Sequence, residues 1–523
     1  MKKITLLKLI CITMAASAPV AVLSQPVFQK TYASASADET GEFAGPANGG
    51  GIIVCGKTTS TPSDAIIMKT DNSGVLQWSK TLAGSGEDGL SCIRPTSDGG
   101  YIATGFTTSS GAGGYDVLLV KLTSTGTVSW SKTYGTTTDD MGFDVKQTTD
   151  GGYIITGNAK FSSSVSTGAI YLVKTDNAGV VTWSNMWGAG IGNEGKTVIQ
   201  TSDGGYFVAG EGSNGYFYVI KTSSAGAVTW SRANLPTAMT SASMSQAIQT
   251  ADGGYALFGS AVATSDNNID MALVKLNSTG VVQFWKTYGG TSIDFGMGIQ
   301  EMTGGGFLAV GYTGSFGTFS DMMVMKISAT GTLTSAKTTT ALGTSYNGIS
   351  LSKTSDNLYT YASMRNSEIF LFKSDAAGTT GCTLTTAAAT DNTFTALFDN
   401  SAPITAAGTT ITTAATYTAA ARTLTATPIC SSIVGIDEEM LDKYISVYPN
   451  PAGNTIEIAL DDQLPKEALD VKIYDLFGRL VYTKSVIADS GNKIDVREIP
   501  SGMYLLTLVS GDSSYSKRVV IEH

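Results

Sequence analysis

The residues able to do chemistry are few and unevenly placed. The single histidine of this 523-residue chain is its last residue, His523, so imidazole general-base catalysis and His-ligated zinc have no source inside a fold. Most hydrolytic mechanisms are thereby excluded, while those using carboxylates, Tyr, Lys or Arg survive. Asp88, Asp140, Glu194 and Asp294 recur at comparable points of successive stretches, each beside or near a glycine. Hard cations take oxygen ligands, so these four are the candidate ligands for a Ca2+ ion. As turn carboxylates they would instead accept backbone N–H bonds, the commoner use of such residues. No other cofactor is expected.

Lysine recurs more strictly, at Lys69, Lys121, Lys174, Lys221, Lys275, Lys326 and Lys373. Read functionally, these form a cationic ring for an acidic ligand. Read structurally, each stem packs between repeats while its ammonium meets a carboxylate or carbonyl. A site breaks internal symmetry, and a residue present in every copy belongs to the scaffold.

The elements that would position these groups follow from an internal repeat. Asp98-Gly99-Gly100-Tyr101 returns as Asp150-Gly151-Gly152-Tyr153, Asp203-Gly204-Gly205-Tyr206 and Asp252-Gly253-Gly254-Tyr255, with looser copies ending at Ile52, Phe307 and Tyr359. A period near 50 residues predicts units that bury their faces only by stacking on neighbours. Each unit resolves into four short strands, A to D, with an Asp-Gly hairpin between A and B and a glycine closing the C-to-D turn at Gly74, Gly126, Gly179, Gly226, Gly280, Gly331 and Gly378. Strand D is marked by Trp78-Ser79-Lys80-Thr81, Trp130-Ser131-Lys132-Thr133-Tyr134, Trp183-Ser184, Trp230-Ser231 and Trp285-Lys286-Thr287-Tyr288. The last unit lacks this motif, and Phe28-Gln29-Lys30-Thr31-Tyr32 carries it ahead of the first. The prediction is an all-β chain whose residues 25–379 form a seven-bladed β-propeller of four strands per blade, closed by pairing the N-terminal strand into the final blade. The longer D-to-A and B-to-C connections then share one face, the expected place for binding.

Composition agrees with short strands and tight turns: 60 glycines, 42% apolar and 15% charged residues. A net charge of -10 offers no basic stripe for phosphates, so a nucleic-acid partner is excluded. Lys2, Lys3 and Lys8 precede an apolar run ending at Leu23, too short for a convincing membrane span. Residues 1–24 therefore read as a secretory signal peptide cut between Ser24 and Gln25. Export permits disulfides. Cys382 and Cys430, which bracket a Thr- and Ala-rich stretch, are the preferred pair; Cys55 and Cys92 either pair or remain small buried residues. That stretch, residues 380–443, reads as a linker with some β-structure.

From residue 444 period-2 strands return. Tyr448-Pro449-Asn450-Pro451 opens the segment, Tyr474-Asp475 and Gly478 lie at its centre, and Gly502, Tyr504 and Lys517 mark its end. These motifs, in this order, resemble the type A C-terminal sorting domain of the Bacteroidota type IX secretion system. The resemblance implies an immunoglobulin-like β-sandwich over residues 444–523 that engages the secretion machinery, and delivery to the medium or the outer-membrane surface; with residues 1–24 removed as a signal peptide, no transmembrane span is expected in the mature protein. The repeats resemble secreted bacterial β-propellers with Asp-Gly-Gly-Tyr repeats, a likeness of fold that names no activity. The expected function is a non-enzymatic, adhesion-type binder of an extracellular glycan or protein. The alternatives are a carboxylate-dependent glycosidase or lyase using the channel mouth, and a spacer with no ligand site.

Overall fold

The computed structural model describes residues 27–375 apart from 35–38, 161–167, 189–192, 213–214, 235–238, 265–266, 317–320, 339–350 and 366–367; seven strands between 385 and 432; and 445–523 apart from 461–467, 475–479, 488–491 and 511–512. The expected signal peptide with Ser24 and Gln25, and the residues Cys382, Asp475 and Gly478, fall outside it. Cys430 lies on a described strand, but its side chain does not belong to the described part, so neither does its pairing.

Two compact units divide the chain at Val434/Gly435. In the larger, all regular structure among the described residues is antiparallel β-sheet. Sheet 1 contains Glu39–Pro46, Ile52–Thr58, Ala65–Thr70 and Leu76–Ala83; sheet 2 contains Asp88–Pro95, Tyr101–Thr107, Asp116–Leu122 and Val128–Gly135. Sheet 3 is built from Asp140–Gln147, Tyr153–Lys160, Gly168–Thr175 and Val181–Trp187, and sheet 4 from Glu194–Gln200, Tyr206–Glu211, Phe217–Thr222 and Val228–Asn234. Sheet 5 takes Met239–Gln249, Tyr255–Ala263, Ile269–Leu276 and Val282–Gly289; sheet 6 takes Asp294–Glu301, Phe307–Thr313, Asp321–Ile327 and Leu333–Thr338. Sheet 7 combines Leu351–Lys353, Tyr359–Arg365 and Glu368–Ser374 with the N-terminal strand Val27–Ala33, where Phe28 pairs with Lys373 and Tyr32 with Ile369. The fold is propeller-like. Strand A of each sheet touches strand A of the next, and Leu351–Lys353 of sheet 7 touches Glu39–Pro46 of sheet 1.

Each sheet has five strands, one more than expected. The Thr- and Ala-rich stretch read as a linker supplies the fifth. Thr385–Thr386, Thr390–Phe394, Phe398–Asp399, Thr405–Ala406, Ile411–Ala415 and Thr418–Ala421 pair in turn with the outer strands of sheets 6, 5, 4, 3, 2 and 1, and Thr425–Ser432 pairs with Val27–Ala33. The segment runs back past the sheets as a belt. It supplies hydrogen-bond partners to outer edges that would otherwise present open N–H and C=O groups. Three of its strands are two residues long, too short to leave a periodic signal in a sequence.

Neighbouring sheets are joined by one contact made repeatedly. The strand D tryptophan of one sheet meets the strand B tyrosine of the next: Trp78 with Tyr101 at 6.3 Å between ring centroids, Trp130 with Tyr153 at 6.0 Å, Trp183 with Tyr206 at 5.7 Å and Trp230 with Tyr255 at 6.2 Å. The same ring covers the next C-to-D turn. At Gly126, with φ +76°, a Cβ would lie 2.7 Å from the Trp78 ring, so both the turn and the contact require glycine. Tyr134 and Tyr288 reach from strand D to the carbonyls of Gly179 and Gly331, each at 2.7 Å. The N-terminal strand repeats the arrangement against sheet 1: Tyr32 donates to the Gly74 carbonyl at 2.6 Å, and Phe28 lies where a Gly74 side chain would go.

Five of the seven strand C lysines are bound within their own sheets. Lys121, Lys174, Lys221 and Lys275 pair with Asp98, Asp150, Asp203 and Asp252 of the Asp-Gly-Gly turns at 2.8 to 2.9 Å, and Lys373 pairs with Asp356 at 2.6 Å. All five are buried. In sheets 1 and 6 the turn aspartate is replaced by Gly49 and Gly304; there Lys69 is only half-buried and Lys326 is exposed. The carboxylate therefore accompanies burial of the ammonium.

The smaller unit has two antiparallel sheets sharing one core. Ile445–Tyr448, Thr455–Leu460 and Asn492–Asp495 form one; Leu480–Ile487, Ala468–Tyr474, Gly502–Ser510 and Ser513–Ile521 form the other. Alternate residues such as Val471 and Ile473, or Ile456 and Ile458, point inward.

Partner exposure ranks the lysine pairs. The Asp356 side chain is 4% exposed and that of Asp150 is 61%. Asp356→Ala leaves Lys373 buried without its carboxylate and is expected to cost about 3–5 kcal/mol. Asp150→Ala, in a pair screened by solvent, is expected to cost about 1 kcal/mol or less. Urea denaturation of the two variants beside the parent checks the ranking.

Candidate functional site

The inner edges of the sheets are where the repeats cease to resemble one another. Strand A carries a β-bulge in sheets 1 to 6, falling between Gly41 and Phe43, Leu90 and Cys92, Gly142 and Asp144, Gly195 and Thr197, Met244 and Gln246, and Gly296 and Gly298. A bulge inserts one residue and re-aims its side chain. The inserted residues are Glu42, Ser91, Phe143, Lys196, Ser245 and Met297, six positions holding five residue types. Ser91, Phe143, Lys196 and Ser245 line a cavity of about 100 Å³, together with Phe43, Cys92, Arg94, Asp144, Thr197 and Gln246. Five consecutive sheets contribute to this one space. Its residues went unnoticed in the sequence because they were sought among repeated positions; the available signal was a single variable position inside an otherwise regular strand.

Asp144 is the hub of the cavity. It accepts from Arg94 Nη2 at 3.0 Å, from the Val198 N–H at 3.0 Å, from Thr197 Oγ1 at 3.2 Å and from Cys92 Sγ at 3.2 Å. Burial opposes its charge, but Arg94 and Lys146 hold its carboxyl below the usual range. Arg94 lies over the Phe43 ring at 4.7 Å, and Lys196 over Phe143 at 4.7 Å. Lys196 also bridges Glu194 at 2.5 Å and Glu211 at 3.2 Å. Desolvation works against its charge, yet Glu211 and Glu194 raise its pKa above the ordinary lysine value. Burial pushes the Glu42 carboxyl up to about 7, against Lys57 and a hydrogen bond from Thr40.

Cys55 and Cys92 are both free and buried. Burial pushes the Cys92 thiol up to about 12 despite nearby Arg94, and holds the Cys55 thiol well above its normal value. Neither supplies a thiolate nucleophile at neutral pH.

The four acids singled out in the sequence do not converge on one point. Asp88 takes the Gly84 N–H at 3.0 Å and the Ser109 hydroxyl at 2.8 Å. Asp140 takes the Thr136 N–H at 2.5 Å, and Asp294 takes the Gly290 N–H at 3.0 Å and the Ser315 hydroxyl at 2.7 Å. All three are buried at the start of strand A and tie down the D-to-A turn before it. Glu194 belongs elsewhere. The residue equivalent to Asp88 and Asp140 in sheet 4 is Asn193, whose N–H meets the Gly168 carbonyl as those of Asp88 and Asp140 meet Ser63 and Tyr115. Glu194 sits one position later and pairs with Lys196. Among the described residues, no group of three or more His, Cys, Asp or Glu is placed to hold a metal ion.

In the smaller unit, the opening motif packs on the closing one. Asn450 Oδ1 accepts the Val520 N–H at 2.8 Å, Ala452 donates to the Val520 carbonyl at 2.7 Å, and Glu522 donates to the Ala452 carbonyl at 2.9 Å. Tyr504 donates to the Pro500 carbonyl at 2.7 Å, with Gly502 against its ring. Tyr448, Pro449 and Pro451 stay exposed, Tyr474 ends a core-forming strand, and Lys517 is half-buried near the C-terminus.

Residues 446–522 match the family model described as the secretion system C-terminal sorting domain. The match marks this protein as a type IX secretion cargo. It is exported to the cell surface or the medium, and residues of this tail engage the type IX machinery. No helix among the described residues is long and apolar enough to cross a membrane. No curated protein matches the cargo. Among solved structures, dimeric latent PorU from Porphyromonas gingivalis is similar over 68% of this chain and 31% of that one, at 12% identity and a TM-score of 0.14. The chain thus spans under a third of that structure's length, and the similarity is too slight to bear on fold.

Buried acids and turn acids give opposite pH dependences. Burial pushes Asp140 up to about 7 against the Thr136 hydrogen bonds, with Asp116 adding to the rise. Its contribution is complete below about pH 4 and is lost as pH rises through about 7. Burial also opposes the charge of Asp98, Asp150, Asp203 and Asp252, but hydrogen bonds from threonine, lysine and a glycine N–H hold each at about 2. Their contributions are present above about pH 4 and lost as pH falls through about 2. Stability of the cargo should therefore decline from about pH 4 to 7, at up to about 1.4 kcal/mol per pH unit for this group. Asp140→Asn should make that limb shallower, leaving the part due to Glu42, and leave the acid limb unchanged, as read by urea midpoints across pH.

Proposed function

We propose that this cargo is a non-enzymatic binding protein of the adhesion type, which enters the periplasm behind a signal peptide and is delivered outward by the type IX system. Its body is a closed ring of seven blades, sealed by Val27–Ala33, and its tail is an immunoglobulin-like type A sorting module. The ligand is an extracellular glycan or protein, met by the face that carries the D-to-A and B-to-C connections. The observation that carries this reading is the commitment of the mouth carboxylates to the fold: Asp88, Asp140 and Asp294 each bind a backbone N–H of their own turn. A glycosidase needs a general acid and a second carboxylate free to act on either side of a sugar. Ligand contacts then fall to loops that differ from sheet to sheet, on a scaffold that does not.

Two measurements test this. The protein without residues 1–24 and 444–523 is screened on a glycan array and for polysaccharide turnover. Saturable binding without turnover is expected, and turnover abolished by Asp140→Asn or Asp294→Asn would establish the enzymatic reading instead. In the native host, deletion of residues 444–523 should hold the protein in the periplasm, as seen by immunoblotting of cell fractions; undiminished export would sink the proposed role of the tail.

A further inference from the structure

The charges around Asp144 do not balance. Arg94 and Lys146 occupy the same register position on the inner strands of sheets 2 and 3, each two residues beyond the position of Cys92 and Asp144. Lys146 lies within electrostatic reach of Arg94, Asp144 and Cys92. One carboxylate therefore serves two cations. Arg94 spends its Nε and Nη2 on a single oxygen of Asp144, and a guanidinium has five N–H donors. Lys146 makes no hydrogen bond or ion pair with any described residue, although it is only partly exposed. The other cation of the cavity, Lys196, is already matched by Glu194 and Glu211.

Arg94, Asp144 and Lys196 line a confined, water-sized space, and Lys146 stands two residues beyond the lining Asp144, at the register that Arg94 holds on the adjacent inner strand. The Arg94 side chain keeps 20% of its surface exposed and that of Lys196 25%, while the inner strands crowd around both. The cavity of about 100 Å³ has apolar walls in Phe43 and Phe143 and a hydroxyl at Ser91. In such a space an unmatched positive charge is costly, and an entering anion meets a focused field with donors already oriented. Nothing in the repeat requires this arrangement: at the position of Arg94 and Lys146, the other inner strands carry Gly45, Ile199, Ile248, Gln300 and Ser352. The asymmetry is what distinguishes a site from the scaffold.

We propose that the axial cavity binds a small oxyanion, a carboxylate or phosphate group, between Arg94 and Lys146 with Ser91 as a further donor. Charge-assisted hydrogen bonds from guanidinium and ammonium supply the affinity, and the size of the cavity limits the ligand to a small molecule or to one anionic group of a larger one. This site is separate from the loop face proposed for the glycan or protein ligand.

The full chain is titrated with inorganic phosphate and with acetate against chloride at constant ionic strength, by calorimetry and by thermal shift. Saturable binding of phosphate, acetate or both is expected, with a rise in Tm that chloride does not give. Lys146→Met should weaken the binding at least about tenfold, while itself folding and melting no lower than the parent because it removes an unmatched cation. Lys146→Arg should keep most of the affinity. Absence of saturable binding by both anions overturns the proposal, as does binding that Lys146→Met leaves unchanged. Neither result touches the glycan and turnover measurements, which read the loop face.

Discussion

An aromatic ring laid over the left-handed glycine of the next sheet's turn is the contact on which the larger unit depends. A single twisted sheet of this size leaves two apolar faces open, and no arrangement within it covers them. Trp78, Trp130, Trp183 and Trp230 each close that gap toward the following sheet, with a tyrosine at the edge of the ring and a glycine beneath it. Any side chain at Gly126 or Gly179 would occupy the volume of the ring. The spacing between the Asp-Gly-Gly-Tyr turn, the C-to-D glycine and the strand D tryptophan is thus one constraint expressed three times.

Faces are only half of the problem, because every open sheet also has two edges. The inner edges lie against one another around the cavity. The outer edges are covered by the belt, which pairs with all seven sheets. Val27–Ala33 is held from both sides, by Glu368–Ser374 and by Thr425–Ser432, so this strand near the start of the body has neither edge open. For a protein that crosses an envelope and works outside the cell, covered edges limit association with other chains.

With faces and edges fixed by repetition, variation is free to gather at the inner strands. The bulge in strand A allows it: one extra residue per strand is re-aimed while the hydrogen-bond ladder resumes beyond it. Lys196 and Phe143 occupy equivalent positions yet stack on each other, and Asp144 draws donors from sheets 2 and 4 across sheet 3. Five of the seven repeated lysines, by contrast, are neutralised in their own sheets by the turn aspartates. Chemistry at the centre and symmetry at the periphery are two consequences of one architecture.

The sequence by itself determined whatever is local or repeated. The period near 50 residues, the Asp-Gly hairpins and the displaced Phe28 to Tyr32 motif are all statements about nearby residues, and the observed pairing of Tyr32 with Ile369 follows from them. The order of the tail motifs was legible for the same reason, and so was the address it gives the cargo. Tertiary structure decided what depends on residues brought together from distant parts of the chain. The belt strands are too short to carry a period, and their partners lie in every sheet. Asn193 rather than Glu194 is the equivalent of Asp140 because its N–H, like that of Asp140, meets a carbonyl at the start of strand C of the preceding sheet. The cluster of Arg94, Asp144 and Lys146 joins positions 50 and 52 residues apart, and its unmatched charge exists only once sheets 2 and 3 stand side by side.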